Sequence, residues 1–192
     1  QNWGGKFGFY SGSDSHGNPY QGVPTNKTVD MIYLRGMQAV YVKELTRSAV
    51  FDALDSASGY PCEDKKIWLT VSVNGVEHPY SVLPGHASIT VRAAVEENCI
   101  IDNITVWDNM DYQNRNIGMI DHRAINSTYA EFTIEDNAEL GELYIVEVVM
   151  TDRANPPADN KPCTAWSSPI FVRDDAVSPP VARFTYSPMN PA

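Results

Sequence analysis

The chain has 192 residues, with 14 Lys and Arg against 24 Asp and Glu and a formal charge of −10. That balance argues against a nucleic-acid binder, which needs a basic face, and disfavours adsorption to an anionic membrane surface. Hydrophobic residues make up 43 %, enough to bury a core. No apolar run reaches the roughly 18–20 residues of a membrane span, so neither membrane insertion nor a nucleic-acid partner is expected.

Residues 1–63 mix a Gly/Ser-rich start with one good helix. Gln1–Gly5 is neither charged nor apolar enough for a secretory leader, and the chain reads as a mature piece or an excised fragment. Lys6–Tyr10 reads as a short strand running into the loop Ser11–Pro19. Ala39–Val42 is a second apolar run. Thr46 is placed to cap a helix whose Val50, Ala53, Leu54 and Ala57 recur at helical spacing. Gly59 suits the position just past its end, with Pro61 beyond.

From Lys65 to Arg173 the hydrophobic period falls to two. Ile67, Leu69, Val71 and Val73 alternate with Trp68, Thr70 and Ser72 up to the turn Asn74-Gly75. Ile89–Ala93, Ile104–Trp107, Ala130–Ile134, Leu143–Val149 and Pro169–Val172 repeat the pattern. About seven short strands separated by turn-rich segments, with no helix among them, predict a mainly β fold: an immunoglobulin-like antiparallel β-sandwich preceded by a small α/β segment. Ile67, Leu69, Val71, Val91, Val106, Phe132, Ile145 and Val148 are expected inward. The domains expected are 1–63, 64–174 and 175–192, the last a Ser178-Pro179-Pro180 linker followed by a strand-like run, Val181–Pro188.

Cys62, Cys99 and Cys163 form no CxxC pair, so a zinc ribbon or thioredoxin-like site is absent. One disulfide plus a thiol, or three buried thiols, are both open. Cys62–Cys163 is the preferred bridge because it would staple the two ends of the sandwich. Sequons at Asn26, Asn103 and Asn126 mark candidate glycosylation sites and favour an extracellular or cell-surface location.

Asp14 and His16 stand two apart at a predicted strand end, so both can face one mouth, and a carboxylate with an imidazole suits Zn, Mn or Fe. The polar runs Trp107–Asn114 and Asp152–Asn160 are oxygen-rich, but neither fits a calcium-loop spacing, and ordinary turn chemistry is the better account. Trp107 and Tyr112 could stack on a sugar, although an aromatic on a sandwich strand is the commoner role.

Phe7–His16 resembles the last metal-binding motif of the PHP (polymerase and histidinol phosphatase) superfamily, in which Ser-Asp-x-His closes a barrel strand. Gly36–Tyr41, Glu44–Arg47 and Val50–Leu54 look like the strand, turn and helix that follow it in PHP-related proteins. Ala165–Val172 is similar to the close of their β-domain. The resemblance spans residues 6–173 and implies a divalent metal held in a longer parent protein, with Asp14 and His16 among its ligands. Four histidines, His16, His78, His86 and His122, with no His-x-His, leave at most one corner of such a cluster here. Pro180–Pro188 looks like the opening strand of a PKD (polycystic kidney disease) module, an extracellular spacer. The expected function is therefore a surface β-sandwich module, structural or binding, with other copies or surface proteins as partners. The alternative is part of a metal-dependent phosphoesterase.

Overall fold

The computed structural model describes residues 36–63, 67–79, 81–96, 98–111, 116–153 and 162–174. The expectations at residues 6–10, 14, 16, 26 and 175–192 lie outside them. The described residues form β1 (Met37–Val40), α1 (Arg47–Asp55), β2 (Gly59–Cys62), β3 (Ile67–Val73), β4 (Val76–Glu77), β5 (Ser81–Val82), β6 (Gly85–Val95), β7 (Cys99–Asp111), β8 (Asn116–Ser127), β9 (Tyr129–Ala138), β10 (Leu143–Asp152), β11 (Cys163–Trp166) and β12 (Ile170–Val172).

Two sheets face each other, and the chain is the mainly β sandwich its period-two pattern predicts. The smaller sheet runs β4-β3-β6-β9 and is antiparallel throughout. The larger runs β1-β2-β11-β10-β12-β5, with β7 also on β10 and β8 beyond it. Its single departure from antiparallel pairing among the described strands is β12 with β5. Residues 37–62 share this sheet with the strands after 64, because Cys62 stands opposite Ala165 and the Glu63 N–H donates to the Thr164 carbonyl at 2.9 Å.

Alternation builds the core. Ile67, Leu69, Val71 and Val73 on β3 and Ala87, Ile89, Val91 and Ala93 on β6 meet Ile104 and Val106 on β7 and Tyr144, Val146, Val148 and Met150 on β10. Each fully buried Val, Leu or Ile contributes about 1.5–3 kcal/mol over leaving it in water. Seven of the eight residues expected inward are buried; Phe132 is only partly so, with the Arg123 guanidinium 4.1 Å from its ring centroid. Ile145 is buried on the other face: it falls between the core residues Tyr144 and Val146 and outside the core cluster.

Thr46 caps α1 as expected, its Oγ1 accepting from the Ala49 N–H at 3.2 Å. The helix end differs from the expectation. Ser58 N–H reaches the Ala53 carbonyl at 2.8 Å and Ala57 N–H the Leu54 carbonyl at 3.1 Å, a Schellman arrangement. Ala57, not Gly59, therefore takes the left-handed conformation, with φ 53°. A side chain at that φ costs about 1–2 kcal/mol, so Ala57→Gly is expected to raise stability by about 1 kcal/mol, read as a higher urea midpoint at unchanged slope. Gly59 is instead needed in β2, where a Cβ would run into the Ala39 carbonyl oxygen.

The Asn74-Gly75 turn has φ 52° and 78°, as a two-residue hairpin requires. Asn74 also ties the turn to β6, its Oδ1 accepting from Ser88 N–H at 2.8 Å and its Nδ2 donating to the His86 carbonyl at 3.0 Å. Asp108–Asp111, expected as turn chemistry after the strand Ile104–Trp107, extends β7 instead. The ladder with β8 absorbs its polar residues through register shifts at Val106/Trp107 and Asp108/Asp111.

Candidate functional site

Of the residues singled out in the sequence, the structure places Asn103, Asn126 and the three cysteines. Asp14, His16 and Asn26 lie outside the described residues. Asn103 is half-buried on β7 between Val149 and Ala124, and the Thr105 of its sequon is 3 % exposed. Asn126 is exposed at the end of β8, with φ 51°. Cys62, Cys99 and Cys163 are buried and unbridged. Cys62 stands opposite Ala165, so Cys163 is its diagonal neighbour, a placement typically about 7–8 Å apart. Burial pushes the Cys62 thiol up, which leaves it a poor nucleophile. Asp152 is buried at the end of β10 rather than placed in an open loop.

A polar knot sits where β1 and β2 meet β3. The Tyr41 hydroxyl donates to the Leu69 carbonyl, and its ring stacks on His78 with centroids 3.4 Å apart and planes 17° from parallel. Tyr60 tilts against Tyr41 at 5.5 Å, and its hydroxyl donates to the Ile67 carbonyl while accepting from the Leu69 N–H at 3.2 Å. An adjoining cavity of about 30 Å³, lined by Tyr41, Ser56, His78, Ser167 and Ser168 among others, has room for a water-sized molecule. Burial pulls His78 down to about 4 and pushes Tyr60 up to about 12. Tyr41 is likewise raised by burial. Both phenols are spent on backbone groups, so the knot fixes the strands rather than activating a nucleophile.

His78 makes the fold acid-sensitive. Its folded pKa lies below the unfolded 6.5, so its contribution is complete above pH 6.5 and is lost as pH falls towards 4. A shift of this size corresponds to about 3 kcal/mol, which solvent screening of the partly exposed ring brings to about 2. Urea midpoints at pH 7.5 and 4.5 are expected to show that loss. His78→Asn, which tolerates the left-handed φ of 48°, should show a smaller one.

Two open grooves flank the same region. One, of about 540 Å³, is lined by Met37, Ala39, Tyr60, Ile67, Trp68 and Val95 among others; the second, of about 570 Å³, shares Ala39, Tyr60 and Trp68 and adds Lys43, Thr70 and Glu77. Trp68, between them, is 48 % exposed, and Phe51 on α1 and Leu45 before it are 53 % and 90 % exposed.

The outer face of the larger sheet carries a cluster the sequence did not assemble. Glu147 on β10 stands opposite Trp166 on β11 and Thr105 on β7, and Thr105 in turn opposite His122 on β8. Trp107, opposite Ile145, leans along the sheet so that its Nε1 donates to Glu147 Oε2 at 3.3 Å. Thr105 Oγ1 and His122 Nδ1 are 2.9 Å apart. Burial raises the Glu147 carboxyl, partly offset by the Trp107 hydrogen bond and the nearby His122. Of these residues the sequence pattern marks Trp107 alone as a ligand contact, because the register that sets Trp166 beside Glu147 joins segments about 20 residues apart.

A carboxyl cluster lies elsewhere. Tyr144 donates to Asp136 Oδ2 at 2.7 Å, and Asp108 and Glu142 are both raised, first by burial and then by neighbouring acidic groups. Among the described residues no group of three or more His, Cys, Asp and Glu side chains is arranged to hold a metal ion. The metal expected at Asp14 and His16 concerns residues outside that set.

No protein-family model matches the chain, and no curated protein sequence does either. Similar solved structures include the superoxide reductase (neelaredoxin) from Ignicoccus hospitalis. It is 16 % identical, with 55 % of this chain and 83 % of that one covered and a TM-score of 0.35. The C-terminal domain of Wzt is 11 % identical over 58 % of this chain and 80 % of that one, with a TM-score of 0.33. At such scores these likenesses carry no argument about function.

Proposed function

We propose that the chain supplies an accessory β-sandwich module of a PHP-like parent protein, displayed outside the cell, where it serves a structural or docking role rather than a catalytic one. The observation that supports this reading most is the pair of grooves meeting at Trp68, with Phe51 and Leu45 exposed on the neighbouring α1 segment. Exposed apolar surface of this kind is what a partner or an adjoining domain covers. The described histidines are taken up by stacking on Tyr41, a hydrogen bond with Thr105, and a contact of 3.3 Å between His86 and Glu135.

Of the two sequons among the described residues, Asn126, exposed at the end of β8, suits a glycan better than the half-buried Asn103 on β7. The PKD-like run after Pro180 fits the same compartment. Divalent metal, Zn, Mn or Fe, would belong to the parent's barrel and would include Asp14 and His16 among its ligands. Labelling intact source cells with a membrane-impermeant amine reagent tests the location. Labelling before lysis is expected, and labelling only after lysis would overturn the extracellular part of the reading.

A further inference from the structure

We propose that the cup formed by Trp107, Glu147 and Trp166 on the outer face of the larger sheet binds an organic cation, an alkylammonium or guanidinium group. The inference goes beyond the module reading and does not depend on it. Glu147 and Trp166 are directly opposite on paired strands, so their side chains rise from the same face with Cβ atoms typically about 4.5–5.5 Å apart. Trp107 closes the other side through its Nε1 bond to the carboxylate at 3.3 Å. All three side chains are half-buried. Ile145 and Thr105, at neighbouring positions of the same outer face, are only 2 % and 3 % exposed.

The chemistry of this cup favours a cation. A carboxylate partly removed from water gains from a charged partner; its described donor is one long, neutral N–H, and the nearby His122 is hydrogen-bonded to Thr105 rather than to it. Among the described residues no Lys or Arg forms an ion pair with Glu147. Indole faces attract cations through the ring quadrupole, most strongly where water is excluded. The net charge of −10 draws cations to the surface as a whole. A ligand ammonium or guanidinium would compensate the partly desolvated carboxylate and lie against the Trp166 indole directly across the strands from it.

The test titrates the full chain with choline and with Nα-acetyl-arginine amide, following tryptophan fluorescence and the indole N–H resonances. The carbon isostere of choline, 3,3-dimethylbutanol, and the neutral sugar cellohexaose serve as controls. Saturable binding of at least one cation is expected, with Kd of about 1–10 mM. Binding should weaken about tenfold in Glu147→Gln and in Trp166→Leu, as expected for groups at the centre of a site, and stay unchanged in Trp68→Leu. Choline alone would indicate an alkylammonium ligand, the arginine amide alone a side chain of a protein partner. Glu147→Gln preserves the volume of the side chain, so it reports on charge even where Trp166→Leu disturbs folding. Equal binding of the neutral alcohol, preference for cellohexaose, or undiminished cation binding by Glu147→Gln would overturn the proposal.

Discussion

Leu69→Ala is expected to destabilise the fold by about 3–4 kcal/mol, among the larger effects of a single truncation. Leu69 is fully buried at the middle of β3, opposite Ala93 of β6. Removing its branched side chain loses the transfer energy and leaves a cavity that two hydrogen-bonded strands cannot collapse to fill. Its backbone makes the site still less adaptable. The Leu69 carbonyl accepts from Tyr41 and its N–H donates to Tyr60, so any shift of the strand loosens both tyrosines. The neighbouring Trp68→Ala, on the solvent side, should cost less than about 1 kcal/mol by the usual rule for surface positions. Urea unfolding of both variants checks the contrast; equal losses would contradict the placement of the core.

Gly59→Ala should act differently and more locally. An alanine Cβ would lie against the Ala39 carbonyl oxygen at a separation no relaxed contact shows, and 3.2 Å from the Val40 Cα. Both obstacles are backbone, so β1 and β2 must separate. The expected loss is about 3 kcal/mol, the upper part of the range for overpacking. Hydrogen exchange should quicken at Met37–Val40 while β3, β6 and β10 keep their protection. Uniform loss of protection across the sandwich would mean that β1 and β2 are integral to the cooperative core.

These two positions also show what the sequence makes legible. Leu69 is plain in it, because Ile67, Leu69, Val71 and Val73 alternate without interruption and a period of two leaves one face to bury. Gly59 reads wrongly, since a glycine just past a helix matches a cap by local pattern, whereas its need arises from a strand that pairs with it in space. Ile145 fails for a related reason. Leu143–Val149 is apolar at nearly every position, so alternation cannot say which face is core, and only the pairing with Trp107 shows why the outer position is covered. β8 and the end of β7 were missed because their polar residues carry no clean period; bulges there shift the faces within the strand.

The candidate site was less legible than the fold. Trp107, Glu147 and Trp166 come from three strands, and no spacing within one segment signals their convergence. His78 likewise gives no sign in the sequence of stacking on Tyr41, a contact that depends on its left-handed turn and on β1 lying across β3.

The claim that the chain is a binding or structural module meets its most direct test in a rate measurement. The 192-residue chain, supplied with Mn²⁺ or Zn²⁺, is assayed on bis(p-nitrophenyl) phosphate beside a His16→Ala variant. The account predicts release of p-nitrophenol no faster than in buffer containing the same metal, and no difference between the two proteins. Turnover above that background, abolished by His16→Ala, would contradict it and make the chain part of a working phosphoesterase.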